Sequence, residues 1–376
     1  MISPAGRPGV AVVLWDGEIG GTELLYAGLA AEMRRTGVDA EVLFVAGAGR
    51  LAGRLEESGV PFHELGFARG RDILRHPRTF AAAVGAKGDD GAILPERGFI
   101  GAALRLGGYR GRIVAAEHGA LILTGLSLPR RGLKLLNALA GAWADDIEVG
   151  VSDFMVSRMR RLPHARRLRR IYNGIDPARF APAEASAEPG DPAVGTPLAA
   201  AIAARLIPGK GIDDAIAAVA GARARAAISL RIAGDGPERA CLEAQIRRHG
   251  AQDAVTLAGL VGDMPGFWRS CDVALFPSHQ FIESFGIAAV EAMASCKPVI
   301  ATRNGAVPEL IADGETGTLV EPGDAQGLAD ALVTYAQQPE LRRAHGEAGR
   351  ARVVERFDIA VCARQYLECL GITTER

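Results

Sequence analysis

The chain has 376 residues, of which 48% are hydrophobic and 23% are charged, with 43 Lys and Arg against 44 Asp and Glu. This composition is typical of a folded protein of two domains, and it excludes a disordered or coiled-coil chain. The formal net charge of -1 gives no general case for nucleic-acid binding.

Two further features of the sequence indicate a cytoplasmic protein. The five cysteines form no CxxC pair and have no metal-ligand spacing, so we expect reduced thiols and no bound metal. The first apolar segment, Val10–Trp15, is too short for the core of a signal peptide. No apolar run reaches the ~18 residues of a membrane-spanning helix.

In the first half of the chain, short apolar runs alternate with longer amphipathic stretches. This rhythm predicts a parallel sheet with helices on both faces, and thus an α/β fold. The predicted strands are Val10–Trp15, Glu41–Val45, Arg112–Ala116 and Glu148–Ser152, and the predicted helices are Glu23–Thr36, Leu51–Ser58 and Leu133–Ala144.

The pattern breaks between Asn173 and Pro197, where five prolines interrupt the chain. We therefore predict a linker at residues 174–197 between a domain at 1–173 and a domain at 198–356. The second half repeats the alternation, with strands at Leu198–Ala203, Ile228–Ala233, Val255–Leu257, Val273–Phe276 and Val299–Ala301, and helices at Ile212–Ala220 and Glu238–Gly250. A last amphipathic helix in residues 357–376 is expected to cross back to the first domain.

Two carboxylates eight residues apart, Glu283 and Glu291, flank a predicted helix start at Gly286. Ser284 is the predicted N-cap of this helix. The helix start would offer an anion such as phosphate the backbone N–H groups of Gly286, Ile287 and Ala288. The carboxylates suit sugar or ribose hydroxyls. The structural alternative is an acid that favours the helix dipole and a surface Glu.

Two cations, Arg205 and Lys210, lie in the loop that follows the predicted strand Leu198–Ala203. In open parallel sheets, ligands bind outside the carboxyl ends of strands. Arg205 and Lys210 could therefore neutralise a diphosphate, although they could also be two solvated loop residues.

In the first half, Gly20 and Gly21 follow the first strand and would let the backbone approach a ligand closely. They do not complete a dinucleotide-binding fingerprint. His118 follows the strand Arg112–Ala116 and is a candidate for contact with a sugar or an acceptor hydroxyl, with a structural histidine as the alternative.

The stretch Arg158–Arg170 contains seven arginines and no acid. It could be a solvated surface, a contact with an anionic membrane, or a contact with an acceptor that bears phosphate. Nucleic acid is disfavoured because the stretch has no aromatic residue for base stacking.

Taken together, these motifs resemble the retaining GT-B glycosyltransferases of family 4, also described as glycosyl transferases group 1. Characteristic motifs occur in the family's order between Arg205 and Glu321. They are Arg205-x4-Lys210, Ala233-Gly-Asp-Gly-Pro237, Phe276-Pro-Ser278, Glu283-x7-Glu291, Pro298-Val-Ile300 and Gly314-x-x-Gly317. The first half matches more loosely, through Gly20-Gly21, His118 and Asn173-Gly-Ile-Asp176.

The resemblance implies two Rossmann-like domains with parallel sheets facing across a cleft. It implies metal-independent transfer of a sugar from a nucleotide donor with retention at the anomeric carbon, with the leaving phosphate as the base. Carried over, Arg205 and Lys210 would hold the diphosphate, Glu283 the donor sugar and Glu291 the ribose. Gly286, Ile287 and Ala288 would offer phosphate-binding amides. Gly20 and Gly21 would lie near the donor, and His118 near the transferred sugar.

The donor and the acceptor stay open at this point. A UDP-sugar is favoured as the donor, followed by GDP-mannose. The molecule that carries the acceptor hydroxyl could be anionic or held in a membrane, in which case the protein would work at the inner face of that membrane. No other cofactor is expected. The alternatives are a nucleotide-sugar epimerase of GT-B-like fold and a catalytically idle sugar-nucleotide-binding protein. One departure from the family is Ala306, which stands where a second glycine is common and could add a methyl group beside the donor sugar.

Overall fold

The computed structural model describes residues 8–18, 20–96, 98–119, 127–164, 166–182 and 197–374. The chain divides into two compact units. The first unit comprises Met1–Ile175 and Asp358–Arg376, and the second comprises Asp176–Phe357. In both units, helices cover a sheet whose paired strands are all parallel.

The described strands of the first unit form one seven-stranded sheet in the order β3-β2-β1-β4-β5-β6-β7. Their bounds are β1 Gly9–Leu14, β2 Asp39–Phe44, β3 Phe62–Glu64, β4 Gly91–Leu94, β5 Arg112–Glu117, β6 Ile147–Gly150 and β7 Leu168–Arg170. The helices between them are α1 Gly21–Arg35, α2 Leu51–Glu57, α3 Gly70–Arg75, α4 Pro77–Gly85, α5 Phe99–Leu106, α6 Leu128–Ala144 and α7 Asp153–Met159.

The described strands of the second unit form a six-stranded sheet in the order β10-β9-β8-β11-β12-β13. Their bounds are β8 Leu198–Ala203, β9 Ile228–Ala233, β10 Val255–Gly259, β11 Val273–Phe276, β12 Val299–Thr302 and β13 Gly317–Val320. The helices are α8 Ile212–Ala222, α9 Arg239–Arg248, α10 Met264–Arg269, α11 Ile287–Ala294, α12 Val307–Leu310, α13 Ala325–Gln337 and α14 Pro339–Arg356.

Each sheet reverses its direction of growth once, beside its first strand. The strand that follows β1 in the order is β4, and the strand that follows β8 is β11. At such a reversal, the loops that leave the two neighbouring strands diverge to opposite faces of the sheet and open a crevice at the carboxyl ends. The fold therefore offers one crevice in each unit, between the loops after β1 and β4 and between the loops after β8 and β11.

The last helix, α15 Ile359–Leu370, belongs to the first unit and packs on α1 and β5. Its buried side has apolar residues at helical spacing, among them Cys362, Tyr366 and Leu370. The Asp358 side chain caps its start by accepting from the Ala360 N–H. The predicted return of the final helix to the first domain is thus confirmed.

The strands predicted from apolar runs are confirmed within two residues at either end, and Leu198–Ala203, Ile228–Ala233 and Val273–Phe276 match without a shift. No element was predicted between Ser58 and Arg112, where the structure has β3, α3, α4, β4 and α5. These strands have three and four residues and the helices six to nine, which is too short for a periodicity to show.

No helix in the described part of the chain is long and apolar enough to cross a membrane.

Replacing Gly174 tests how tightly α15 is held. A Cβ at Gly174 would lie 2.6 Å from the Ile359 Cα and 2.9 Å from the Asp358 carbonyl oxygen, both at the start of α15. We expect Gly174→Ala to destabilise the first unit by about 1–3 kcal/mol through overpacking. The matched control is Gly53→Ala on α2, where a Cβ meets nothing within 4 Å and no loss is expected. Urea unfolding measures both changes, and equal stability of the two variants would contradict the tight contact.

Candidate functional site

The loop after β8 carries Arg205 and Lys210 to the crevice of the second unit. Its backbone turns at Gly209 and Gly211, which have positive φ values of 83° and 69°. The Gly209 carbonyl oxygen accepts three backbone N–H groups from residues 279–281 in the loop after β11, at 2.9–3.2 Å. A Cβ at Gly211 would lie 1.8 Å from the Pro277 carbonyl oxygen. The two loops therefore meet backbone to backbone, and glycine is required at their closest approach.

An ion pair joins the same two loops through their side chains. The Lys210 Nζ donates to the Glu283 Oε1 at 2.7 Å, and the two side chains are only 12% and 7% exposed. The Ser278 hydroxyl donates to the same oxygen at 2.5 Å. Among the described residues, no hydrogen bond reaches the Glu283 Oε2. The carboxylate is thus oriented by two donors and keeps acceptor capacity for a ligand.

Phe281 lies beside both cations. Its ring centroid is 3.8 Å from the Lys210 Nζ and 6.0 Å from the Arg205 Cζ. The face of an aromatic ring attracts a cation, and the ring also keeps water from one side of it. Arg205 and Lys210, which were predicted to act together, thus share this ring.

The loop after β12 fixes the backbone around Glu283. The Asn304 Nδ2 donates to the carbonyl oxygens of Ser278 and Phe281 at 2.8 and 2.9 Å, and the Thr302 hydroxyl donates to the Ser278 carbonyl as well. The Ala306 N–H donates to the Glu283 carbonyl oxygen at 2.9 Å. Ala306 is fully buried, so its methyl group packs inside the protein and not against a ligand, which corrects the expectation from sequence.

The Ala233-Gly-Asp-Gly-Pro237 segment after β9 supports the Arg205 loop from its other side. A Cβ at Gly234 would lie 1.8 Å from the Ala204 carbonyl oxygen. The Leu206 N–H donates to the Asp235 carbonyl at 2.9 Å, and the Leu206 carbonyl accepts from the Glu238 N–H at 3.0 Å. The glycines of this segment therefore position the loop that carries the cations.

Helix α11 begins as predicted, but its N-cap differs from the prediction. The N-cap residue is Gly286, with φ 129° and ψ 60°, and no side chain makes a cap hydrogen bond there, so the predicted cap by Ser284 is wrong. The first amides of a helix lack partners within the helix. Gly286, Ile287 and Ala288 are partly exposed, so an anion could reach their N–H groups.

Glu291 lies in the second turn of α11 and is held by an indole. The Trp268 Nε1 donates to its Oε2 at 3.1 Å, and Trp268 is itself buried. Burial raises the pKa of Glu291 from 4.5 to about 7, while the Trp268 hydrogen bond and the charge of Arg179 lower it less. Glu291 is therefore a partly buried carboxyl group whose pKa is raised to about 7.

Three side chains in the described part of the second unit have a spacing suited to a metal ion: Asp213, Asp214 and His279. The His279 Nδ1 lies 2.8 Å from the Asp214 Oδ2. Burial raises the pKa of Asp214, followed by the charge of Asp213. This contact accounts for the cluster as an Asp–His pair beside the start of α8.

In the first unit, His118 follows β5 and forms a hydrogen-bonded chain with two tyrosines. Its Nε2 is 2.9 Å from the Tyr26 hydroxyl of α1, which lies 3.3 Å from the Tyr366 hydroxyl of α15. Burial lowers the pKa of His118 to about 4 and raises that of Tyr26 above its ordinary value of 10. His118 is therefore neutral at pH 7, and the chain joins β5, α1 and α15.

Gly20 and Gly21 lie at the start of α1, in the crevice of the first unit. Gly20 is the N-cap residue, in an extended conformation, and makes no side-chain cap. A Cβ there would lie 2.4 Å from the Glu23 carboxylate, whose pKa is raised by burial. Gly17 is tighter still, because a Cβ would meet the Ala48 carbonyl oxygen at 1.7 Å. Sequence reasoning had not singled out Gly17 as a packing position.

A cavity of about 500 Å³ lies in the first unit at the carboxyl ends of β1, β4 and β5. Apolar side chains form much of its wall, with the carboxylates of Glu96 and Glu117 and the ammonium of Lys134. The apolar part includes Trp15, Ile73, Leu74, Phe99, Ile100 and Leu133. The Glu117 Oε1 accepts from the Gly119 N–H at 3.1 Å. No sequence motif indicated this cavity, because its wall comes from five separate segments.

The basic stretch Arg158–Arg170 is not one element. It begins in the last turn of α7, continues through a turn and ends in the edge strand β7. Arg170 packs over the ring of Tyr172 with its Cζ 4.0 Å from the centroid. The arginines are therefore spread over the end of α7, the segment that follows it and β7, and their contact with a membrane or an acceptor stays a prediction.

The functional residues that sequence reasoning missed are Ser278, Phe281, Trp268 and Asn304. Ser278 stands in the Phe276-Pro-Ser278 motif, but no role was predicted for it. The sequence around each of the other three residues has no pattern that indicates a site. Phe281, Trp268 and Asn304 act through residues that are distant in the chain, such as Trp268 through Glu291, whereas Ser278 donates to Glu283 five positions away. Only the strand order brings them together.

A family model described as "Glycosyl transferases group 1" matches residues 191–352. The N-acetyl-alpha-D-glucosaminyl L-malate synthase of Bacillus anthracis is 34% identical over 157 residues, which are 42% of this chain and 41% of that relative. The phosphatidyl-myo-inositol mannosyltransferase of Mycobacterium leprae is 37% identical over 142 residues, which are 37% of this chain and of that relative. The chain thus spans less than half the length of these relatives.

Among solved structures, Anabaena HepE in complex with UDP and glucose is similar over 97% of this chain and 100% of its own, with a TM-score of 0.81 and 23% sequence identity. At this level of identity, the likeness establishes the fold. The predicted fold class, α/β with two Rossmann-like domains of the GT-B type, is confirmed.

Removing the lysine of the ion pair should cost stability. Lys210→Met leaves the buried Glu283 carboxylate without its cation, and we expect a loss of about 3–5 kcal/mol in the free energy of unfolding. Glu283→Gln in the same chain should restore a large part of it, because an amide needs no counter-charge. Lys297→Met, at a lysine that bonds the Arg269 carbonyl on the surface, is the control. A double variant no more stable than Lys210→Met would contradict the pairing.

The raised pKa of Glu291 predicts a pH dependence of stability. The folded state binds the proton more tightly than the unfolded state, so the stabilisation is fully present below pH 4.5 and is lost as the pH rises through about 7. The loss is on the order of 3 kcal/mol, since one pKa unit corresponds to about 1.4 kcal/mol. Glu291→Gln should lack this component. Unfolding curves of both proteins between pH 4.5 and 8 test it, and parallel pH profiles would refute it.

Proposed function

We propose that this chain, whose residues 191–352 match the model of the glycosyl transferases group 1 family, is a retaining glycosyltransferase. It moves a hexose-type sugar from a nucleotide-diphosphate sugar to a hydroxyl acceptor, without a metal ion. The observation that carries the proposal is the meeting of Arg205, Lys210 and Glu283 at the strand reversal between β8 and β11.

In this proposal, Arg205 and Lys210 bind the diphosphate and stabilise the charge that develops on it as the sugar departs. An ammonium has three N–H donors, and the Glu283 carboxylate uses one of those of Lys210. The others can donate to phosphate oxygens while the first still orients the lysine. Stabilisation of a developing charge by fixed cations is often the largest single contribution to catalysis. The metal-independent reaction assigned to the chain requires such cations.

Glu283 and Glu291 accept hydroxyl groups of the donor in this arrangement. Both described donors to Glu283 reach Oε1, so Oε2 is the acceptor that we assign to the donor sugar. The Glu291 carboxyl binds the ribose, and Trp268 fixes its orientation. The amides of Gly286, Ile287 and Ala288 add N–H donors for a phosphate at the start of α11.

The first unit supplies the acceptor side. The cavity of about 500 Å³ has an apolar wall and two carboxylates, Glu96 and Glu117, which suit an acceptor with an apolar part and hydroxyl groups. His118, which follows Glu117, is the residue that we assign to the transferred sugar. Because it is neutral at pH 7, it can bind a hydroxyl without adding a positive charge. Gly20 and Gly21 leave room for the donor phosphate or the acceptor at the start of α1.

A UDP-sugar is the favoured donor. Support comes from Anabaena HepE, whose structure contains UDP and glucose, although its likeness to this chain is one of fold. GDP-mannose is the second choice, and the Mycobacterium leprae relative is named a mannosyltransferase. The sequence of the loops that would contact the base does not indicate which base is bound.

The experiment is a thermal-shift panel with UDP, GDP, ADP, dTDP and NAD. A nucleotide at 100 times its dissociation constant should add about 2.7 kcal/mol of stability. We expect one diphosphate nucleotide to stabilise the wild type, with the same effect in EDTA. Arg205→Ala with Lys210→Ala should abolish it, because each charged hydrogen bond contributes about 1.5–3 kcal/mol.

Lys297→Ala is the control variant, because it removes a lysine of the same unit away from the crevice. A response to NAD alone, or to every nucleotide equally in the double variant, would overturn the proposal. Release of sugar from the donor that binds then separates a transferase from an idle binding protein, since only the transferase hydrolyses its donor slowly without an acceptor.

A further inference from the structure

Helix α6 has its large apolar side chains on the outside. Its buried residues are all small: Ala138, Gly141 and Ala144. At 3.6 residues per turn, five of the six large apolar residues of α6 that are exposed fall within an arc of roughly 100° on the opposite side, and the sixth, Leu133, lies outside it. We call this set the outer stripe, and it consists of Leu128, Leu135, Leu136, Leu139 and Trp143. Leu128 is 81% exposed and Trp143 63%.

Such a stripe is not a normal feature of a protein surface. Single exposed leucines are common, but contiguous apolar patches mark sites of interaction. The outer stripe covers the whole length of α6, from Leu128 to Trp143. A helix that only covered its own sheet would turn these leucines inward.

The charges of α6 indicate what covers the stripe. The helix sequence contains three charged residues, Arg130, Arg131 and Lys134, and all are cations. Arg130 and Arg131 are exposed, and at 100° per residue Arg131 falls about 40° from the edge of the stripe at Leu135, so the helix combines an apolar stripe with a basic flank. This is the pattern of a helix that lies in the interface of an anionic membrane, with leucines and tryptophan among the acyl chains and basic residues at the headgroups.

We propose that the outer stripe of α6 docks the protein on an anionic lipid bilayer. The same helix borders the cavity of the first unit, whose wall includes Leu133, Lys134, Asn137 and Ala138. Docking would thus bring the cavity to within one helix diameter, ~10 Å, of the lipid headgroups. If the proposed glycosyltransferase function holds, the acceptor is an amphiphile held in that bilayer. The docking itself does not depend on that function.

The test is flotation of the whole protein with two kinds of vesicle, without nucleotide. One kind is phosphatidylcholine, and the other is an equal mixture of phosphatidylcholine and phosphatidylglycerol. We expect the wild type to float with the mixed vesicles and the triple variant Leu135→Gln, Leu139→Gln, Trp143→Gln to lose at least tenfold in partitioning. Leu260→Gln, at a leucine that is 73% exposed in the second unit, is the control and should float like the wild type.

Two further variants separate the contributions of charge and apolar contact. Arg130→Gln with Arg131→Gln should weaken binding to the mixed vesicles and reduce its sensitivity to salt. Trp143→Phe should keep binding but remove most of the blue shift of tryptophan fluorescence that vesicles cause in the wild type.

Several results would overturn the docking. These are no flotation of the wild type, equal flotation of the triple variant, or a triple variant that differs only by dissociating from a dimer, which would make the stripe a contact between copies. The nucleotide response of the triple variant in the thermal-shift panel should equal that of the wild type. The docking and the glycosyltransferase function can therefore fail separately.

Discussion

The buried ion pair between Lys210 and Glu283 is the interaction around which the second unit is organised. Removing two charges from water costs free energy that the pair regains only with good geometry and further hydrogen bonds. The structure meets this condition by bringing the loops after β8 and β11 together at Gly209 and Gly211 and by bonding Ser278 to the same carboxylate oxygen. Because a buried ion pair is weak evidence for stability, its elaborate support is better explained by a binding site.

The contacts that hold the Lys210–Glu283 ion pair show which parts of the site could be predicted from the sequence. Arg205, Lys210, Glu283 and Glu291 follow strands or open a helix, so chain order alone places them at the carboxyl ends of the sheet. Asn304 is different, because it acts through the carbonyl oxygens of residues 26 and 23 positions earlier in the chain. No local pattern encodes such contacts. The placement of these four residues was therefore predictable from the sequence, and the contacts that hold them were not.

In the first unit, the predictions were limited by the length of the elements. The strand β4 joins the two halves of the sheet, between β1 and β5, yet it has only four residues. His118 could be placed because the longer strand β5 precedes it. Its hydrogen-bonded chain through Tyr26 to Tyr366 could not, since it needs the return of α15 to the first unit. The neutral state of His118 follows from this burial and not from its neighbours in sequence.

Helix α6 shows the limit of periodicity in another way. The pattern of its leucines predicts an amphipathic helix, but it does not tell which side faces the sheet. In the structure, the side of α6 with small residues is the buried one. A Cβ at Gly141 on this side would lie 2.8 Å from the Glu148 Oε1 and 2.9 Å from the Asp145 Oδ2. The helix backbone therefore packs directly against two buried carboxylates, and no leucine fits on that side. Among the described residues of the first unit, the large side chains of α6 are left on the outside, where a partner or a lipid surface can bury them.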